Sequence, residues 1–260
     1  MRKIFNDMYT YIGYVKRAAK AQLKSEVANS YLNWLWWIIE PLGMMLVYVF
    51  VFGVLFKSEE KFFSTFIFMG LTLWSFFDRC VRASVVMMRY HKEVINKVYI
   101  PKYMMIVQNM AVNGFKMAIC FVIIIGMMLI NRVPLSVQIV WFLPLLAGFI
   151  IMVFGICTFL LNMGVFIEDL SNAINIIIRF VMYASGVFYS LDYRAPEPLN
   201  IILIKCNPIA YFLSEMRNVL LYAKAPDVPL MIFWTMTALI ISLEGIWLIY
   251  KNENTYVKVI

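Results

Sequence analysis

The chain has 260 residues, of which 63% are apolar (AVILMFWYC) and 15% charged, with a mean hydropathy of +0.80. Soluble domains run about 45–50% apolar and about 25% charged, so the excess belongs against lipid. A spanning helix takes about 20 residues, and the length holds roughly six spans with tails and connections but no separate soluble catalytic domain. The formal net charge is +8, yet the 23 Lys and Arg are scattered among apolar runs. That pattern suits contact with anionic lipid at the membrane surface and argues against nucleic acid.

In chain order, Ile4, Phe5, Met8, Tyr11, Ile12, Val15, Ala19 and Leu23 recur at three- and four-residue steps and predict a helix with one apolar stripe. Lys16, Arg17, Lys20 and Lys24 occupy another face, as in a basic helix lying in the membrane surface. Such a helix is an anchor alone, or it also meets a cytosolic partner. Residues 1–33 lack a continuous apolar h-region and a small-residue cleavage site, so no cleaved signal peptide is expected. The first span is predicted over 34–56, opening with interfacial tryptophans, and Lys57-Ser58-Glu59-Glu60-Lys61 forms a polar turn. Further spans are predicted over 62–88, 103–130, 137–161, 174–191 and 230–250. Residues 192–228 carry Pro196, Pro198, Pro208 and Pro226 and two apolar pieces, 199–204 and 209–222, each too short to cross. They read as a re-entrant helix pair, because an exposed loop of that length conflicts with their Leu, Ile and aromatic content. The fold class is therefore all-α integral membrane, a single domain: 1–33 interfacial, 34–191 five spans, 192–228 re-entrant, 229–250 a sixth span and 251–260 a tail.

Orientation follows from basic residues outside the spans. Arg2, Lys3, Lys16, Arg17, Lys20, Lys24, Arg89, Lys92, Lys97, Lys102, Lys251 and Lys258 share one side and outnumber Lys57, Lys61 and Arg132 in the short loops opposite. Both termini are expected in the cytoplasm.

Several chemistries are excluded. No Gly is followed by Lys, so no phosphate-cradling G-x-x-x-x-G-K-[ST] loop exists. His91 is the one histidine, which rules out a His metal cluster. Cys80, Cys120, Cys157 and Cys206 have no C-x-x-C spacing and read as free packing thiols. Glu168-Asp169 are sequence neighbours, which on a helix do not face each other as a catalytic pair would. What remains are ionisable groups inside spans: Glu40, Asp78, Arg79, Arg82, Lys116, Arg179 and Glu244. Such groups face a bundle interior, a wet cavity or the interface. Glu40 and Glu244 suit snorkelling or a salt bridge near a span end. Asp78 and Arg82 are placed for an i,i+4 pair. Lys116 and Arg179 have no acid nearby in sequence, and either a polar path for an anionic substrate or an ion pair across helices accounts for them. Aromatics make up 17% of the chain, as interfacial belt, packing, or a surface for sugar rings.

Particular residues then carry a resemblance. Ser30-Tyr31-Leu32-Asn33-Trp34-Leu35-Trp36 followed by Pro41 resembles the S-x-L-G-x-L-W…P start of the first span in membrane subunits of ABC-2 type polysaccharide exporters, the O-antigen, capsule and teichoic acid permeases. Gly70-Leu71-Thr72-Leu73-Trp74-Ser75-Phe76-Phe77 is similar to that family's G-x-x-x-W-x-F-F. Asn96-Lys97-Val98-Tyr99-Ile100-Pro101-Lys102 is similar to its K-x-x-F-P-R connection, and Asn207-Pro208 to its late re-entrant region. Asn33 stands for the family's Gly, Tyr99 for Phe and Lys102 for Arg. The resemblance implies a homodimeric conduit in the bacterial inner membrane, driven by two copies of a separate cytosolic ATPase that carries the ATP and Mg. No cofactor is implied on this chain. It implies that Glu93, Asn96, Lys97, Tyr99, Pro101 and Lys102 dock on the ATPase, assisted by Lys16 and Arg17. Leu32, Asn33, Trp34 and Trp36 would border the cytoplasmic mouth. Trp74, Phe76 and Phe77 would lie near the translocation path, with Asp78, Arg79, Arg82, Lys116 and Arg179 as its polar groups. Asn207, Pro208, Tyr211, Glu215 and Arg217 would gate the outer end. The implied cargo is a long glycan or teichoic acid on a polyprenyl diphosphate lipid. Rival readings are an ABC-2 exporter of drugs or small lipids, a secondary transporter, whose inverted repeats are not seen, and a scaffold that moves nothing.

Overall fold

The computed structural model describes residues 2–28, 31–57, 60–134, 136–191 and 196–259, with the backbone alone at 2–5, 33, 94, 96 and 257–259. Ser30, Ser58, Glu59, Asp192 and Arg194 of the expected motifs and loops lie outside the described residues, as do the side chains of Asn33 and Asn96. Among the described residues there are helices and no strand.

The amino-terminal helix α1 (Arg2–Val27) buries Val15 and Ala19 against α5 and leaves Lys16, Arg17 and Lys20 exposed, as its stripe predicts. A short helical turn (Asn33–Leu35) leads into α2 (Trp36–Tyr48), whose last turns widen to π-helical geometry over Val49–Leu55. Then come α3 (Phe63–Tyr90), α4 (Lys92–Lys97) and α5 (Lys102–Ile130). Next are α6 (Phe142–Phe166), preceded by a tight turn over Val137–Trp141, and α7 (Leu170–Ala184). Two short helices, α8 (Leu199–Cys206) and α9 (Pro208–Leu221), precede the long α10 (Val228–Val259).

Among the described residues, four segments are long and apolar enough to cross a bilayer: Trp36–Leu55, Lys102–Ile130, Val137–Phe166 and Val228–Tyr256. The 28-residue α3 is as long but carries Asp78, Arg79 and Arg82. It is the hub of the bundle, packed by α2, α5, α6, α7 and α9, and its upper half from Thr65 to Trp74 is fully buried. The expected fifth span, 174–191, is helical only to Ala184. Gly186 then turns the backbone at φ +63°. The apolar Val187 and Phe188 that prolong the run are buried in protein, Phe188 stacking on Phe52 at 5.3 Å and lying 4.2 Å from Tyr48. At 15 residues α7 is about 22 Å long. The expected tail continues α10 as helix instead, held by Tyr256, whose hydroxyl donates to Asn162 Oδ1.

Both terminal helices meet at one end of the bundle, where the Tyr250 hydroxyl donates to Asp7. We call this the basal end; it also carries α4 and the α6–α7 turn. The distal end holds the α2–α3 and α5–α6 turns, both ends of the α8–α9 pair and the start of α10. There Asn131 Nδ2 donates to Thr65 Oγ1 at 3.0 Å, Tyr222 donates to Glu60 at 2.9 Å and Tyr211 to the Asp227 carbonyl at 2.8 Å. Asn207 starts α9 by accepting from the amides of Ile209 and Ala210, with Pro208 in the first turn, where a missing N–H costs nothing.

Glycines set the closest helix crossings. A Cβ at Gly245 of α10 would lie 1.9 Å from Thr158 Oγ1 of α6, and one at Gly164 of α6 would lie 2.0 Å from the Val85 carbonyl oxygen of α3. The second contact is backbone, which no rotamer change relieves. Gly164→Ala is therefore expected to push α3 and α6 apart and cost about 1–3 kcal/mol, read as a lower unfolding midpoint in detergent. Gly126→Ala, with nothing within 4 Å of the new atom, leaves the midpoint unchanged or higher.

Candidate functional site: the basal end and the polar face of α3

The basal connection is held by side chains from three elements. Ile100, Pro101 and Lys102 are buried, while Glu93, Lys97 and Tyr99 are exposed. Lys102 Nζ lies 3.8 Å from Glu253 Oε1 of α10 and donates to the Ile100 carbonyl at 3.3 Å. The Tyr99 hydroxyl donates to Glu253 Oε2 at 3.3 Å, and Tyr11 of α1 donates to the Tyr99 carbonyl at 3.4 Å. Burial and the adjacent Glu253 carboxylate push the Tyr99 phenol up to about 12, so it remains a donor at neutral and mildly alkaline pH. Arg89 closes the neighbouring turn, its guanidinium donating to the carbonyls of Gly164, Ile167 and Glu168. These carbonyls at the end of α6 have no intrahelical amide, and a cation there also meets the negative end of the helix dipole. From this hydrogen-bonded base α4 projects, with Glu93 and Lys97 exposed.

Inside the bundle, α3 is buried on all sides but one. Ser75, Asp78, Arg79, Arg82, Ala83 and Val86, at steps of three and four residues, are the positions between 74 and 88 that the chain leaves partly uncovered. This stripe runs about 16 Å along the helix. Arg82 Nε donates to Asp78 at 2.7 Å, its Nη1 reaches Asn175 of α7, and Arg79 lies 3.5 Å from Glu40 of α2. The side chains keep substantial exposure: Asp78 26%, Arg79 37%, Arg82 37% and Glu40 62%. Both flanks are open as well. On α7 Ile176, Ile177, Arg179 and Phe180 are exposed, and on α2 Leu46, Val47, Phe50 and Val54. Charges left bare to hydrocarbon are costly, so this face is built to be covered by protein or to line a wet passage.

The other predicted positions divide. Leu32, Trp34 and Trp36 are exposed at the basal start of α2. Trp74, Phe76 and Phe77 are buried inside this chain, Phe76 against Phe149 of α6 and Trp74 against Phe77, away from the open face. Lys116 finds an acid ninety residues upstream: its Nζ sits 2.5 Å from Glu26 Oε2 and over the Trp37 ring. An ion pair across helices accounts for it. It also borders a small cavity of about 30 Å³ with Glu40, Ser75 and Arg79, so it sits behind the stripe. Tyr211, Glu215 and Arg217 are buried in α9, and Asn207 and Pro208 form its start. Arg217 donates to the carbonyls of Gly186, Val187 and Phe66 at 2.7, 2.7 and 3.3 Å.

Comparison with known proteins fits this geometry. Residues 14–221 match the ABC-2 type transporter family. The chain belongs to that family. Two proteins named O-antigen export system permease protein RfbA, from Klebsiella pneumoniae, are each 22% identical to this ABC-2 permease over 239 residues, covering 92% of it and 91% of their own length. Another of the same name from Myxococcus xanthus is 22% identical over 237 residues, covering 89% of each chain. The family match ends at Leu221 and omits α10, which supplies Glu253 and Tyr250 to the basal network of this permease.

Sequence reasoning missed Glu26, Asp7, Glu253 and the capping role of Arg89. Their partners lie 75 to 243 residues away along the chain, beyond the reach of any local pattern. The Lys116–Glu26 pair ties the amphipathic α1 of the ABC-2 permease to α5. A double-mutant cycle of Lys116→Met and Glu26→Gln, followed by thermal unfolding in detergent, is expected to give a coupling energy of about 1–3 kcal/mol. Additive single effects would mean the pair holds nothing.

Proposed function

We propose that this ABC-2 permease exports a lipid-linked polysaccharide, of the O-antigen, capsule or teichoic acid type, from the cytoplasmic side of the bacterial inner membrane. Two copies form the conduit, and two copies of a cytosolic ATPase, which bind the ATP and Mg, dock beneath them. The observation that carries the reading is the uncovered polar stripe of α3. An intramembrane row of Ser75, Asp78, Arg79 and Arg82 flanked by two exposed helices is half a passage, and a second copy supplies the other half. The names of the relatives support the glycan class. The exposed tryptophans near the basal start of α2 suit the sugar and diphosphate of an entering lipid.

The same reading gives six crossings, with α3 and α7 added to the four long apolar segments; α7 completes its crossing through the buried 185–191 turn. The basal end, rich in Lys and Arg, is cytoplasmic with both termini, and the α8–α9 pair dips in from the outside as the outer gate. Glu93, Asn96, Lys97, Tyr99 and Pro101, with Lys16 and Arg17, form the ATPase dock. Glu253 braces it through Tyr99 and Lys102.

Two experiments test this. Co-purification with its cognate ABC ATPase is expected to yield a complex in which the charge reversal Glu93→Lys with Lys97→Glu lowers ATP hydrolysis; recovery of a functional permease with no ATPase sinks the assignment. Cysteines at Ala83 or Val86, in a Cys206→Ser background, are expected to be joined between two copies by a flexible bis-maleimide, while Asp78→Asn with Arg82→Gln lowers surface polymer about tenfold, equivalent to about 1.4 kcal/mol on the transport barrier. Unchanged surface polymer would remove the stripe from the path.

A further inference from the structure

The distal end holds a cavity of about 1040 Å³, walled on one side by α9. It is large enough for a lipid head group, since ligand pockets commonly enclose about 300–1,000 Å³. Among the described residues its charged lining is Lys57, Lys61, Lys224 and Arg217 against one acid, Glu60, which accepts the Tyr222 hydroxyl. The cations differ in role. Lys57, Lys61 and Lys224 are exposed at the rim. Arg217, 4% exposed, forms the floor. Its two terminal nitrogens are spent on backbone carbonyls, no carboxylate lies within 4 Å of it among the described residues, and its Nε is buried without a hydrogen-bond partner. Ser214 and Asn218 stand three residues before and one residue after Arg217, on the same face of α9, and add neutral hydrogen-bonding groups beside it. Lys57 and Ala223 at the edge hold left-handed backbone at φ +47° and +55°, a conformation that non-glycine residues adopt at a cost and that gathers at ligand sites.

The wall beside the mouth is apolar. Val54, Leu55 and Phe56, at the distal end of α2, are 60–62% exposed, and Phe56 also lines the cavity. A cationic cup adjoining bare apolar helix fits an anion attached to a hydrocarbon chain better than a free one. We propose that this cavity seats the phosphate-bearing head of a lipid at the distal face, with its chain along α2. Two sources share that chemistry, bulk anionic phospholipid and the diphosphate of a polyprenyl carrier. The second ties the site to the export reading above.

The site is tested by native mass spectrometry of the purified chain in phosphate-free maltoside detergent, with no ATPase present, so its failure is separable from failure of the export reading. The probes are undecaprenyl diphosphate, phosphatidylglycerol, undecaprenol and inorganic phosphate. One undecaprenyl diphosphate or phosphatidylglycerol per chain is expected, weakened about tenfold or more in Lys57→Gln/Lys61→Gln/Lys224→Gln and restored when the same positions are Arg. Preference for the diphosphate assigns the carrier; equal affinity assigns bulk phospholipid. Undecaprenol bound as tightly as its diphosphate, inorganic phosphate bound as tightly as either lipid, or a triple variant with unaltered binding would each overturn the proposal.

Discussion

A backbone amide or carbonyl without a partner in hydrocarbon costs several kcal/mol, and at two helix ends of this chain a side chain takes up the carbonyls released there. Both side chains are arginines, and they lie at opposite ends. At the basal end Arg89 gathers the carbonyls of Gly164, Ile167 and Glu168 where α6 stops. At the distal end Arg217 gathers those of Gly186 and Val187 where α7 stops, and adds Phe66 of α3. Each therefore fixes a turn to a different helix, and each sits beside a glycine that lets the elements close. Arg217 also explains Gly70, where a Cβ would lie 2.1 Å from the guanidinium. Lysine would not substitute at either place, because only the planar fork reaches several carbonyls at once.

These anchors free α3 to be two-sided. With its distal half locked by α9 and its basal half by the Gly164 crossing, the helix carries a row of charged groups on its remaining face without losing its position. The charges are mutually compensated by Asp78–Arg82 and Glu40–Arg79, which lowers the cost of holding them on one face of the bundle while leaving hydrogen-bonding capacity exposed.

Much of this was legible in the residues. The α1 stripe, the long apolar helices, the Asp78–Arg82 pair and the two short helices around Asn207-Pro208 all follow from local periodicity, length and capping. Periodicity misled at 185–191, because an apolar run buried in protein has the same composition as one buried in lipid; only Gly186 marked the turn. The aromatic triplet Trp74, Phe76 and Phe77 was similarly ambiguous, and lies in the interior because the stripe that escapes burial on α3 is phased through Ser75 and Asp78 instead. The partners of Lys116, Lys102 and Tyr250 depend on how α1 and α10 return to the same end, a tertiary fact with no local trace.

That return has a structural consequence. α10 is 32 residues long, about 48 Å, and unbroken. At its base Glu253 receives Tyr99 and sits beside Lys102; just before its start, the Asp227 carbonyl receives Tyr211 of α9. Between those points it packs along α6 through Gly155, Gly245 and the Ser242 hydroxyl, which donates to the Ile151 carbonyl at 3.1 Å. One continuous stretch of chain, 227–253, thus holds both the Tyr99–Lys102 segment at the basal end and α9 at the distal end.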